Sequence, residues 1–284
     1  MEVSIYSSMK YEIQLIADIG EELLEGPVFD KITNTLYFVS ILECRVYRFL
    51  TSSKQLSFIQ LDSPTSCVFI SKQLGIVAAA ISGFYRLDFD SRTFDKLFEI
   101  DLSHNLRFND GILDARERFL IGTMGFPDII ENMGSLLCYS EGRLSTLVSG
   151  TTISNGIAFS EDSSRMYFID TPTRAVKEYA YDIEKGTCDY IRDLIRFQGP
   201  GVPDGMDIDE KGNLWIAEWG GFCVSVWDSI NGKNIGRVEI PSENVTSLCF
   251  DQSGSFYVTT AKSSVDGVSK GGYLFYVKMD KDEQ

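Results

Sequence analysis

Only one histidine, His104, occurs in the chain, and its scarcity excludes whole mechanisms. A zinc site built from imidazoles, or an H-E-x-x-H helix, needs at least two. A Ser-His-Asp triad would have to use His104, and no G-x-S-x-G elbow supplies the serine. No C-x-x-C pair occurs among Cys44, Cys67, Cys138, Cys188, Cys223 and Cys249, which are scattered through apolar, strand-like stretches. That scatter suits buried thiols in a reducing compartment and argues against a disulfide framework or a zinc knuckle. No apolar run approaches the length of a bilayer span; the most apolar patch, residues 75–81, is strand-sized. The early charges include Glu2, Glu12 and Asp18, without the basic-then-apolar order of a secretory leader. A soluble, cytoplasmic protein with no membrane partner is expected. Basic residues are in deficit, 26 against 41 acidic, for a formal charge of −15. Such a surface repels nucleic acid and attracts cations. No Pro/Ser-rich linker or change of composition divides the chain, so residues 1–284 are expected to form a single domain. If the protein is a hydrolase, carboxylates and a metal are left to do the chemistry.

What is present is a repeated phrase. Val202-Pro203-Asp204-Gly205-Met206-Asp207-Ile208-Asp209, the turn Lys211-Gly212-Asn213 and Leu214-Trp215-Ile216-Ala217-Glu218-Trp219 read as strand, turn and strand. The first core residue of the second strand recurs as Leu36, Ile76, Phe119, Met166, Leu214 and Phe256, at separations of 40, 43, 47, 48 and 42. Those periods match a four-stranded propeller blade. Third strands (46–49, 84–88, 176–181) and fourth strands (56–59, 236–240) complete the pattern. The last unit stops after 272–277 without a fourth strand, and residues 13–17 at the front can supply it. The predicted fold is all-β, a six-bladed β-propeller closed by an N-terminal strand in the last blade, which leaves no sheet edge open there.

Ten or eleven positions before each anchor stand Glu25, Ser66, Asn109, Asn155, Asp204 and Thr246. Equivalent positions in a propeller surround one end of the central channel, so these side chains should form a polar ring. Glu25, Asn109, Asn155 and Asp204 contribute two carboxylates and two amide oxygens, the donors that hard divalent cations prefer. Polar residues at strand starts also cap turns. Against that simpler account, Glu25 is a poor turn residue and the register repeats. Glu25-Gly26-Pro27, Asn109-Asp110-Gly111, Asn155-Gly156 and Asp204-Gly205 also share one grammar.

These stretches carry a resemblance. Glu25-Gly26-Pro27-Val28-Phe29-Asp30, Arg107-Phe108-Asn109-Asp110-Gly111, Gly122-Thr123-Met124-Gly125, Ile153-Ser154-Asn155-Gly156, Pro203-Asp204-Gly205-Met206 and Glu218-Trp219-Gly220-Gly221 occur in order. Together they resemble the SMP-30/gluconolactonase/luciferin-regenerating-like (regucalcin-like) family, from about Glu25 to Tyr273. The resemblance implies a six-bladed propeller with one divalent metal in the channel and, in the best-known members, hydrolysis of sugar lactones. Glu25, Asn155 and Asp204 match the metal ligands by motif. Asp204 also matches the general base, and Arg107 and Asn109 match substrate-contacting positions. Calcium, zinc, magnesium and manganese all occur in such proteins, and an all-oxygen site does not choose among them. Two positions depart from the pattern. Ser40 stands where the family often has an aspartate, and the segment 125–133 after Met124 is short and more apolar than the sugar-contacting loop of regucalcin, without a match for its glutamate.

The expected activity is therefore metal-dependent opening of a small-molecule lactone, with the cation as Lewis acid and Asp204 taking a proton from the attacking water. Arg107 has a plainer alternative, an ion pair on the rim. Phe126 and Trp219 either wall the pocket or pack. Two other functions share the same ring: a non-catalytic calcium-binding or regulatory propeller, and a phosphotriesterase-like hydrolase. The native lactone, the ion used and the oligomeric state are left open.

Overall fold

A computed structural model describes residues 9–102, 105–265 and 268–280; His104 lies outside the described residues. After β1 (Tyr11–Asp18) the chain runs through four antiparallel meanders. The first joins β2 (Leu24–Asp30), β3 (Thr35–Ser40), β4 (Arg45–Leu50) and β5 (Gln55–Gln60). The second joins β6 (Thr65–Ser71), β7 (Gly75–Ala80), β8 (Gly83–Asp88) and β9 (Thr93–Glu99). The third joins β10 (Leu106–Leu113), β11 (Phe119–Gly125), β12 (Gly134–Ser140) and β13 (Arg143–Thr151). The fourth joins β14 (Ser154–Phe159), β15 (Arg165–Asp170), β16 (Ala175–Asp182) and β17 (Thr187–Arg196).

The remaining strands correct the predicted fold. β18 (Val202–Ile208), β19 (Asn213–Trp219), β20 (Cys223–Asp228) and β21 (Asn234–Glu239) are fused with β22 (Asn244–Phe250), β23 (Phe256–Ala261), β26 (Tyr273–Met279) and β1 into one eight-stranded sheet. Six separate blades, the last closed by the N-terminal strand, are therefore not formed. Four four-stranded sheets stand in a propeller-like arrangement beside the eight-stranded sheet, and β1 lies on β26 as one of its edges, from Tyr11 opposite Met279 to Asp18 opposite Tyr273. The fusion has a local cause. The connection between β21 and β22 is short and laced to the β19–β20 turn by Ile240 N–H to Phe222 O (2.7 Å) and Phe222 N–H to Glu243 O (3.2 Å). Trp219 is thereby placed opposite Asn244, and backbone groups that would otherwise face a seam pair across it. β24 (Ser263–Val265) and β25 (Val268–Lys270) form a separate two-stranded ribbon.

Burial follows strand position. β3 and β11 are buried along their whole length because both faces meet neighbouring sheets. β5 and β9 lie outermost and are largely exposed. Between the second and third sheets Phe84 stacks obliquely on Phe119 with ring centroids 4.7 Å apart. The first strands β2, β6, β10, β14, β18 and β22 contact one another in that order, and β22 returns to β2. All six start at the same end of the molecule, which brings their opening residues around one axis. The six cysteines are unpaired, four of them buried. No helix among the described residues is long and apolar enough to cross a membrane.

Candidate functional site at one end of the channel

Each inner strand breaks register against its neighbour at or beside the polar position. The shifts fall between Glu25 and Val28, Thr65 and Cys67, Phe108 and Gly111, Ser154 and Ile157, Pro203 and Met206, and Val245 and Ser247. A bulge re-aims the side chains it carries, and here the repeated bulge turns a polar residue towards the axis. The glycine that follows has a steric reason at two positions. A Cβ on Gly156 would lie 2.6 Å from Asp204 O, and one on Gly205 would lie 2.3 Å from Ser247 Oγ. Adjacent inner strands approach too closely there for any side chain.

The predicted residues are all buried: Glu25, Asn109, Asn155 and Asp204 at 8%, 8%, 5% and 4% exposure, and Arg107 at 6%. Arg107, Asn109 and Asn155 are joined by hydrogen bonds. Arg107 Nη1 donates to Phe108 O and to Asn109 Oδ1, both at 2.8 Å, so this arginine is not the rim ion pair that its sequence also allowed. Asn109 Nδ2 donates to Ser154 O (3.0 Å) and Asn155 Oδ1 (3.2 Å). Ser66 and Thr246, the other two positions of the ring, are committed to holding strands together: Ser66 Oγ donates to Phe108 O and Thr246 Oγ1 to Leu24 O (2.6 Å). They offer the channel little. Ser40, which departs from the family pattern, donates to Glu43 on the rim at 2.6 Å.

The charges act on one another. Burial, then the Asp110 charge, pushes the Glu25 carboxyl from 4.5 up to about 8, with the Gly26 N–H and Arg107 pulling the other way. Burial, then the Glu25 and Asp110 charges, drives Asp204 well above the usual carboxylate range, against the Asn155 amide and Arg107. Burial lowers Arg107 to about 10, which leaves it cationic at neutral pH. Asp204 Oδ1 is buried with no hydrogen-bond partner. Only Glu21 Oε2 and Arg48 Nε share that state among the described residues. Those two side chains sit in ion pairs with Arg45 and Asp90. Asp204, in contrast, makes no ion pair among the described residues and faces other carboxylates.

Two residues escaped the sequence reading. Asp110 is half-buried, bonded to the Gly111 N–H at 2.7 Å, and raised by burial to about 6; its charge bears on both Glu25 and Asp204. Its place between Asn109 and Gly111 looked like turn chemistry, and only the bulge shows that it shares the channel. Thr171, in the 3-10 turn Thr171–Thr173, accepts from Asn155 Nδ2 (3.0 Å) and donates to Pro203 O (2.9 Å). It orients the Asn155 amide and ties it to the strand bearing Asp204. No spacing rule points to it. Thr171→Val removes both bonds and strands a buried amide, so it should cost about 1–3 kcal/mol, roughly 2–6 °C in Tm, while Thr171→Ser should retain parental stability. Thermal unfolding that leaves the valine variant at the parental Tm would show that these bonds hold nothing.

The profile of the SMP-30/Gluconolactonase/LRE-like region matches residues 23–262. Regucalcin of Xenopus laevis is 34% identical over 269 residues, covering 92% of this chain and 89% of that protein. The pentonolactonase XacC of Haloferax volcanii is 32% identical over 262 residues, covering 90% and 88%. Among solved structures, a luciferin-regenerating enzyme superposes with a TM-score of 0.87 at 29% identity, over 95% of each chain. With the matched region spanning every inner strand, the chain belongs to the SMP-30/gluconolactonase/LRE-like family.

Proposed function

We propose that this chain works as a single-domain, metal-dependent lactone hydrolase. In this reading Glu25, Asn155 and Asp204 hold one divalent ion, Asp204 is the general base, and Arg107 and Asn109 hold the substrate. The observation that carries it is Asp204 Oδ1, buried, unpartnered and beside like charges. A carboxylate oxygen in that position costs free energy unless a cation or a proton meets it. The donor chemistry fits a hard cation. No three His, Cys, Asp or Glu side chains are grouped to hold an ion among the described residues, so the Asn155 amide oxygen has to complete a set begun by the two carboxylates. Family membership, with a relative named as a pentonolactonase, supports lactones as the substrate class.

A bound divalent ion supplies Lewis-acid polarisation of the acyl oxygen. The chain's own residues do the rest. Asp204 takes a proton from water as the water oxygen bonds to the acyl carbon. It returns that proton to the ring oxygen as the acyl C–O bond breaks, giving a hydroxy acid that ionises at neutral pH. Arg107 Nη1 is occupied by Phe108 O and Asn109 Oδ1, which fixes the guanidinium plane and leaves other N–H groups of the fork for a substrate oxygen. Burial keeps bulk water from competing for those bonds.

A pH-indicator assay with gluconolactone and other aldonolactones, with and without chelator and a panel of divalent ions, tests this directly. Turnover should vanish on chelation and return with one of the ions. Ion binding without hydrolysis of any ester would favour a cation-binding role. Turnover that persists through exhaustive chelation would remove the metal from the scheme.

A further inference from the structure

The mouth of the channel is divided by chemistry. Trp219 closes β19 opposite Val202, two residues before Asp204, and Phe222 follows in the next turn. Gly125 pairs with Leu106 beside Arg107, and Phe126 follows it into the β11–β12 loop. That loop folds back on itself, with Ile130 N 2.7 Å from where a Cβ of Gly125 would stand, and it is fastened by Asn132 N–H to Thr152 Oγ1 at 3.1 Å. Ile129 and Ile130 are left 61% and 39% exposed, and Phe222 and Trp219 44% and 38%. Exposed Pro172 stands on the turn after β15, next to Thr171, which bonds Asn155 of β14 and Pro203 of β18. The cation of that turn is withdrawn from the mouth, since Arg174 Nη2 donates to Gly199 O and Gly201 O. The opposite arc is polar and paired with itself: Lys262 meets Glu22 at 2.8 Å, and Glu43 accepts from Ser40 at 2.6 Å and from the Glu22 N–H at 3.2 Å.

Inside the mouth the Asn109 and Asn155 amides are spent on neighbouring groups, through the Arg107–Asn109, Asn109–Asn155 and Asn155–Thr171 bonds, which leaves the other N–H groups of Arg107 and the Glu25 and Asp204 oxygens as a small polar end. A polyhydroxylated ring needs donors and acceptors around its whole edge, and an analogue that leaves site or ligand groups unpaired is penalised. An acyl group with an apolar tail needs only its carbonyl end in the polar channel. Its tail can cover the exposed arc, removing apolar surface from water on both partners. The net charge of −15 also disfavours anionic substrates.

We propose that the site selects lactones and esters whose acyl part carries an alkyl or aryl chain, laid across Phe126, Ile129, Ile130, Pro172 and Trp219. The hydrolytic half of this statement rests on the function proposed above; the apolar binding arc does not, and the test separates them. Across a series from γ-butyrolactone to γ-decalactone, kcat/KM should rise about two- to fourfold per added methylene, with decalactone well ahead of gluconolactone. The double variant Ile129→Asn/Trp219→Ser should lower the decalactone-to-butyrolactone ratio by about tenfold or more. Independently of turnover, decalactone added to metal-free protein should shift tryptophan emission to the blue, and Trp219→Phe should abolish the shift. Of the other tryptophans, Trp215 is buried and Trp227 is packed on Phe197.

A flat chain-length profile with gluconolactone preferred would overturn the inference and leave the lactonase reading standing. Should no lactone be hydrolysed while the Trp219-dependent shift persists, the lactonase reading fails and the apolar binding arc is retained. Absence of that shift overturns the arc, as does sedimentation showing a dimer whose formation alone buries Trp219.

Discussion

Asp204→Asn should lower lactone kcat/KM by about a thousandfold or more while making the metal-free protein more stable. The first effect follows from removing the proposed base and weakening the proposed ion site together. The second follows from the free-energy cost of the carboxylate itself. Asp204 is 4% exposed, its Oδ1 has no partner, and the neighbouring Glu25 and Asp110 carboxyls raise its pKa further. An asparagine keeps the shape and is neutral in the native and unfolded states alike, so it spares the metal-free native state the cost of holding a proton on this carboxyl above its ordinary pKa, and a gain of about 1–3 kcal/mol is expected in the absence of divalent ion. The ion should then stabilise the variant much less than the parent. Steady-state kinetics and thermal unfolding, with and without ion, read both effects. Full activity would remove Asp204 from the mechanism, and a variant both inactive and less stable would make the carboxylate a structural element.

The second large effect is on stability against pH. Glu25 is raised to about 8, Asp110 and Asp207 to about 6, and Asp204 upwards, in each case chiefly by burial. In the metal-free native state these carboxyls keep protons that the unfolded chain releases above its ordinary carboxylate pKa. The native state therefore binds more protons, and stability falls as pH rises from about 4.5 until the folded pKa values are passed. Between pH 5 and pH 8 the loss should be on the order of a few kcal/mol, or about 5–10 °C in Tm. A divalent ion replaces protons at the same oxygens, so its stabilising effect should be larger at pH 8 than at pH 5. Asp207, bonded to the Ile208 and Phe250 N–H groups, should retain its own contribution to the slope when ion is present. Metal-free protein that is more stable at pH 8 than at pH 5 would contradict the whole account.

The sequence by itself determined the all-β character, the repeat and the residues that open each inner strand. Those features are local: alternation, turn residues and a period of 40 to 48 are visible without knowing what packs on what. The family was also legible, because its motifs lie in order along the chain and the matched region spans residues 23–262. The tertiary structure decided how those units join. Local periodicity could not show that Trp219 would pair with Asn244 and fuse the last two units into one sheet, since that contact depends on how a short connection is laced to a turn. Nor could it separate Ser66 and Thr246, spent on neighbouring backbone, from Asn155 and Asp204, or add Asp110 and Thr171 to the group. Which oxygen ends without a partner depends on where every nearby donor comes to rest, and in this channel those donors arrive from strands far apart in the chain.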